Sequence, residues 1–234
     1  MIREAIVLAG GLGTRLKPAV PDLPKCLAPV AGKPFLEYLI RDGKKQGVNR
    51  FIFALGYKTE LVENFVRTIL TESEYVFSVE QEPLGTGGAI YLACCQASGH
   101  DAMVLNADTF FHVDLYQLSR FHAERKADCS LSLKPMKHFD RYGVVELNDR
   151  QIITGFSEKR FMESGLINGG VYALNTGNFL SKTFPPAFSF EKDYLEKEYP
   201  TGKIYGMISD AYFIDIGIPE DYHRAQTELI QHIS

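Results

Sequence analysis

Five apolar residues, Ala5-Ile-Val-Leu-Ala9, run without a polar break into Gly10 and Gly11. A strand that is apolar at every position has to be covered on both faces, which demands helices on either side of a parallel sheet. The rest of the first half keeps that rhythm. Pro34 opens a helical pattern carrying Phe35, Leu36, Leu39 and Ile40 on one side, with Gly47 as its stop. Phe51-Ile-Phe-Ala-Leu55 predicts the next strand, and Leu61, Val62, Phe65, Val66, Ile69 and Leu70 recur at helical spacing after Thr59. Tyr75 to Glu80 predicts a strand, Thr86 to Ala97 a helix and Met103-Val-Leu105 a strand. Asp114 with Gln117 fits the capping pair of a helix running to Ala127. Alternation of this kind gives an α/β fold with a doubly wound sheet.

Beyond Ala127 the pattern changes. Ser130-Leu-Ser-Leu133, Tyr142 to Leu147, Gln151 to Phe156 and Ile167 to Leu174 are strand-like, and they read as elaboration of the same sheet. Ser189 to Tyr199 and Pro219 to Ile233 predict helices. No linker, repeat or heptad interrupts the 234 residues, so one compact domain is expected.

Charge and cysteine usage narrow the function. The 25 basic and 29 acidic side chains leave a net charge of −4, which supplies no general field for nucleic acid. No apolar run approaches the ~20 residues of a membrane span. The opening Met-Ile-Arg-Glu leads to no small-residue cleavage site, so a cytoplasmic location is expected and a membrane partner is not. Cys26, Cys94, Cys95 and Cys129 form no C-x-x-C pair, and the six histidines keep no ligand spacing. Reduced, buried thiols are expected, and a structural zinc site is not. Homo-oligomerisation stays open.

The glycines after the first strand, Gly10, Gly11 and Gly13, let backbone N–H groups approach an anion closely. Arg15 adds a bidentate phosphate donor. Read alone, the segment is equally a tight structural turn. Position 16 is Leu16 where a dinucleotide fingerprint needs glycine, and Gly32-Lys33-Pro34 lacks the Ser or Thr of a Walker loop. Neither of those two phosphate sites fits.

The longer string Leu8-Ala-Gly-Gly-Leu-Gly-Thr-Arg-Leu16, with Pro24-Lys25-Cys-Leu-Ala-Pro29 and Gly32-Lys33-Pro34, resembles the signature of the sugar-1-phosphate nucleotidyltransferases. Further motifs follow in the family's order: Gln81-Glu-Pro-Leu-Gly-Thr-Gly-Gly-Ala89, Leu105-Asn-Ala-Asp-Thr109, Phe156-Ser-Glu-Lys159, Asn168-Gly-Gly-Val-Tyr172 and Phe213-Ile-Asp-Ile-Gly217. Pro83 to Ile90, Leu166-Ile-Asn-Gly-Gly170 and Phe188-Ser-Phe-Glu191 most resemble the subgroup acting on D-glycero-D-manno-heptose 1-phosphate with GTP. The resemblance implies a Rossmann-like (GT-A type) fold with a mixed, mainly parallel sheet flanked by helices. It implies a nucleotide-binding half over about 1–110 and a sugar-binding half over about 111–234. It also implies GTP and a sugar 1-phosphate as substrates and Mg²⁺ as cofactor. Guanylyl transfer to mannose 1-phosphate and uridylyl or thymidylyl transfer to another sugar 1-phosphate are the alternatives within the family. A non-catalytic sugar-nucleotide sensor that kept the fold is the alternative of a different class.

The same resemblance distributes the roles. Leu8, Ala9, Gly10, Gly11, Gly13 and Thr14 would cradle the nucleotide, with Arg15 clamping the triphosphate and Lys25 reaching the phosphates. Gln81 and Gly85 fall where the family reads the base, and Asn106 lies on the nucleotide side. For Thr86 two readings stand, a nucleotide neighbour or simply a helix N-cap. Arg15, Lys25 and Asp108 form the catalytic set. Gly143, Glu158, Lys159, Asn168 and Gly169 would hold the sugar phosphate, while Glu191 and Asp193 serve a helix start and Cys26 only packs. Asp215 alone reads as the cap of a turn before Pro219. Together with Asp108, at one end of the same sheet, it would hold the metal, because two carboxylates beside a triphosphate need a cation between them.

Overall fold

The structure, a computed structural model, describes residues 1–11, 13, 16 and 18–232. In β1 (Glu4–Leu8), Ala5 and Val7 pack into one core and Ile6 into another, so the strand is covered on both faces as its composition demands. Lys25–Leu27 forms one 3₁₀ turn. The short strands β2 (Pro29–Val30) and β3 (Lys33–Pro34) then pair as a hairpin before α1 (Phe35–Lys45). The alternation continues through β4 (Arg50–Leu55), α2 (Thr59–Ile69), β5 (Tyr75–Val79), α3 (Gly85–Cys94) and β6 (Asp101–Asn106). Next come β7 (Thr109–Phe111), α4 (Leu115–Arg125), β8 (Cys129–Phe139), β9 (Val144–Leu147), β10 (Ile153–Ser157), β11 (Met162–Asn175) and α5 (Thr176–Leu180). A π-helical turn, Phe190–Leu195, leads into the single turn α6 (Glu196–Glu198). The chain closes with β12 (Ile204–Ile208), β13 (Phe213–Asp215) and α7 (Pro219–His232).

The main sheet runs β10-β9-β11-β6-β1-β4-β5, with β8 joining β11 and β12 joining β8. Pairing is parallel through β6-β1-β4-β5 and between β8 and β12, and antiparallel where β11 meets β6, β8 and β9. The α/β architecture with a mixed sheet is thus the expected one. Helices α1, α2, α4 and α7 cover one face, supplying Leu36, Val62, Leu118 and Leu229 to its core. Ile90 of α3, Phe179 of α5 and the Phe188–Leu195 segment cover the other. Among the described residues no helix is long and apolar enough to cross a membrane.

Most elements form where periodicity puts them, and Asp114 caps α4 by accepting from the Gln117 N–H at 2.8 Å. Several do not. The strand expected over Ser130–Leu133 extends to eleven residues, and β7, β12 and β13 carry no period long enough to reveal them. The helix expected over 189–199 is a wide π turn followed by one α turn. Three thiols are buried as expected, but Cys95, the C-cap of α3, is exposed.

Candidate active site

From β1 the chain moves one way in the sheet to β4 and β5, and it returns to β6 on β1's other side. Ligands of open α/β sheets bind beyond the strand ends at such a switch point. Here Leu8 lies in register with Asn106, and the Ala107 N–H donates to the Leu8 carbonyl at 3.2 Å. Gly13 adopts φ +58°, and a Cβ on it would stand 3.0 Å from the Lys25 Cβ. Glycine therefore serves both the backbone and the close approach of Lys25.

Lys25 is carried by the 3₁₀ turn into the end of this crevice. Its ammonium donates to Asp108 Oδ2 at 2.6 Å and lies 3.7 Å from Asp215 Oδ1, with only 11% of the side chain exposed. Asp215 does not sit at the end of the main sheet. It arrives through a separate two-stranded ribbon, in which β13 runs antiparallel to β7 with Asp215 opposite Thr109. The Ile216 N–H closes the junction by donating to the Asp108 carbonyl at 3.0 Å. Asp215 Oδ1 also accepts from the Gly217 N–H at 2.7 Å, so the expected turn cap and the acidic pair are the same residue. The Tyr142 hydroxyl donates to Asp215 Oδ2 at 3.4 Å. Burial, reinforced by the Asp215 charge, raises this phenol well above its ordinary value and keeps it a donor. The Cys26 thiol beside Lys25 is pushed up to about 12 by burial and by Asp108, which makes it an inert packing group.

Two hollows border this cluster, and a third is linked to it through Tyr142. A narrow one of about 160 Å³ is lined by Leu8, Ala9, Gly11, Gly13, Lys25, Asp108 and Gly217. A larger one of about 480 Å³ takes in Leu8, Gly10, Gly11, Gly56, Glu80, Gln81, Gly85, Thr86, Asn106 and Asp108. A third, of about 350 Å³ and expected from the sequence to take the sugar phosphate, is bounded by Tyr142, Gly143, Glu158, Lys159, Asn168 and Glu191. A β-bulge in β11 between Asn168 and Tyr172 re-aims that wall, with Asn168 Nδ2 donating to the Tyr172 hydroxyl at 2.8 Å. A Cβ on Gly143 would stand 2.6 Å from the Ser157 carbonyl, so only glycine fits there.

A strap joins the two larger hollows. The Phe188 N–H donates to the Leu84 carbonyl and the Gly87 N–H to the Phe188 carbonyl, both at 2.9 Å, and the Phe190 N–H reaches Thr86 Oγ1 at 3.0 Å. The next residue, Glu191, lines the sugar-side hollow. Crowding by protein raises its carboxyl above the ordinary range, with Lys159 working in the opposite direction. Two carboxylates drawn to one cation are hard oxygen donors, suited to a divalent ion whose other ligands are phosphate and water. Among the described residues no three His, Cys, Asp or Glu side chains gather around one point, so such an ion would depend on its substrate.

The family model described as nucleotidyl transferase matches residues 4–232. The chain belongs to the nucleotidyl transferase family. It is 48% identical over 98% of its length, and 100% of the relative's, to D-glycero-alpha-D-manno-heptose 1-phosphate guanylyltransferase of Aneurinibacillus thermoaerophilus. It is 43% identical to the protein of the same name from Campylobacter jejuni, over 94% of this chain and 97% of that one. The crystal structure of HddC from Yersinia pseudotuberculosis complexed with GMP-PN superposes with a TM-score of 0.86 at 35% identity, covering 97% of this chain and 100% of that one.

In this nucleotidyl transferase the sequence-predicted residues converge on the three hollows, with specific exceptions. Thr14 and Arg15 lie outside the described residues. Gly169 is buried against the Phe111 ring, which a side chain there would overlap. Thr86 is not the N-cap of α3, which starts one residue earlier after Leu84; its hydroxyl instead fastens the strap. Glu191 and Asp193 both stand in the first turn of the helix after Ser189, as expected; Asp193 accepts from the Ser189 N–H at 2.9 Å, and Glu191 also lines the hollow with Lys159. Ala107 is buried without left-handed backbone and lines the narrow hollow. Sequence reasoning also passed over Glu80 and Gly56. Glu80 follows the edge strand β5 at its carboxyl end, and that position was the available signal.

Proposed function

We propose that this chain transfers the guanylyl group of GTP to D-glycero-D-manno-heptose 1-phosphate, releasing pyrophosphate and forming a GDP-activated sugar for surface polysaccharide. The observation that carries this reading is the Lys25–Asp108–Asp215 cluster, which borders one hollow of about 480 Å³ through Asp108 and is linked to another of about 350 Å³ through the Tyr142–Asp215 hydrogen bond. Near-full-length identity to the two heptose 1-phosphate guanylyltransferases supports the substrates. A mannose-1-phosphate guanylyltransferase of Mycobacterium tuberculosis is 32% identical, and this chain spans 66% of it. Mannose 1-phosphate is therefore the second sugar to test. Use of GTP carries a cytoplasmic location with it.

An oxygen of the sugar phosphate attacks the α-phosphorus, and the bond to the β-phosphate oxygen breaks. The nucleophile is already an anion, so the protein has to align two polyanions and offset charge on the departing pyrophosphate. Backbone N–H groups at Gly10 to Gly13 and the Lys25 ammonium supply part of that charge. Lys159 and Glu158 address the sugar phosphate and its hydroxyls. Asp108 and Asp215 would hold Mg²⁺, which when bound polarises phosphate oxygens and lowers the cost of their crowding. The test is pyrophosphate release over four nucleoside triphosphates and a panel of sugar 1-phosphates. GTP with the heptose phosphate should give the highest kcat/KM. Faster turnover with UTP or dTTP, or with glucose 1-phosphate, overturns the assignment.

A further inference from the structure

Asp221 is a buried carboxylate to which the mechanism gives no task. It stands in the first turn of α7, the helix that begins just beyond Asp215. An acid at that place ordinarily faces solvent and does no more than complement the helix N-terminus. Asp221 is instead 6% exposed and divides its oxygens between two arginines. Its Oδ1 accepts from Arg224 Nη1 of the same helix at 2.8 Å, and its Oδ2 accepts from Arg141, in the turn between β8 and β9. Arg224 has a second acid in Glu228, whose two oxygens it reaches at 3.0 and 3.1 Å. Among the described residues Asp221 is the one acid that pairs with Arg141.

What that pair secures follows Arg141 directly in the chain. The Arg141 guanidinium lies 5.5 Å from the centroid of the Tyr142 ring, and Phe213 meets the same ring edge-on at 6.1 Å. Tyr142 donates to Asp215 Oδ2, and together with Gly143 it lines the hollow proposed for the sugar phosphate. Residues 140–143 belong to no strand, so side-chain anchors have to hold this wall in place. Without Asp221 the guanidinium would be drawn to Asp215, whose charge already acts on it, and would disturb the carboxylate that Tyr142 holds. We propose that Asp221 is a positioning residue for the sugar-phosphate step: through Arg141 it fixes Tyr142 and Gly143 relative to Asp215. The inference rests on the proposed orientation of the two substrates and names the group that maintains it.

The experiment measures kcat, KM for GTP, KM for the heptose phosphate and Tm in Asp221→Asn, Arg141→Gln, the double variant and Arg224→Ala. Asp221→Asn keeps the shape and removes the charge. It should lower kcat/KM for the sugar phosphate by about 10- to 100-fold, the usual cost of losing an outer partner of a functional carboxylate, with KM for GTP unchanged. Arg141→Gln should do the same. The double variant should be no worse than either single one, because the two residues act as a unit. Arg224→Ala takes the other arginine from the same carboxylate and should leave kcat and both KM values unchanged. Should Asp221→Asn fail to fold, Arg141→Gln, at an exposed side chain, carries the comparison with Arg224→Ala. Unchanged sugar-phosphate kinetics in a folded Asp221→Asn or in Arg141→Gln, an equal rise of both KM values, additive losses in the double variant, or equal losses in Arg224→Ala overturn the proposal. A wild type that turns over neither heptose nor mannose 1-phosphate with GTP overturns the reading of the function instead.

Discussion

At Lys25 one ammonium balances two carboxylates, Asp108 at 2.6 Å and Asp215 at 3.7 Å. Removing it leaves two acids facing the phosphates, so Lys25→Ala should lower kcat by about a hundredfold, comparable to loss of one oxyanion donor. Lys159 borders the hollow proposed for the sugar phosphate. Lys159→Ala should raise KM for the sugar phosphate with little change in KM for GTP, since a lost charge-assisted contact costs roughly 1.5–3 kcal/mol. The reverse pattern in steady-state kinetics would show that the substrates are oriented the other way. Lys25, Asp108 and Lys159 were legible in the sequence because each sits inside a longer motif in fixed order. Glu80 was not, because a glutamate at a strand end looks like any solvated acid until the space over Gly56 is seen. Glu191 stands with Asp193 in the first turn, as its sequence position suggests, and only the folded chain shows that it also borders the hollow with Lys159.

Among the elements, β1, α1, β4 and α2 follow from periodicity alone, since each runs five to eleven residues with a clear apolar pattern. The ribbon β7–β13 could not be read that way. Each of its strands has three residues, and what pairs them lies about a hundred positions apart in the chain. Yet this ribbon brings Asp215 to Asp108, so the least legible element makes the most consequential contact. The strap over α3 is similar, because its function depends on Gly87 lying against the Phe188 ring. Gly87→Ala puts a methyl group into that ring, and overpacking of this kind costs about 1–3 kcal/mol. The expected result is a lower Tm together with higher KM values for both substrates, since the strap borders both hollows. An unchanged Tm with unchanged kinetics would show that the strap yields without consequence.

For the whole molecule, two cores on opposite faces of one mixed sheet hold the β1 and β6 ends in register, and the reacting groups gather just beyond them. The hollow proposed for the nucleotide is built on the parallel strands, and the one proposed for the sugar phosphate on the antiparallel β9-β10-β11 extension. The acidic pair lies between them. The central claim is that this pair, with a divalent cation, joins the two substrates. It is tested most directly by titrating Mg²⁺ against pyrophosphate release from GTP and heptose 1-phosphate, in the wild type and in Asp108→Asn and Asp215→Asn. The account predicts saturable Mg²⁺ dependence with no turnover in EDTA, and a loss of about a hundredfold or more in kcat for each variant at unchanged Tm. Full wild-type turnover in EDTA, or variants with the wild-type Mg²⁺ dependence and kcat, would contradict it.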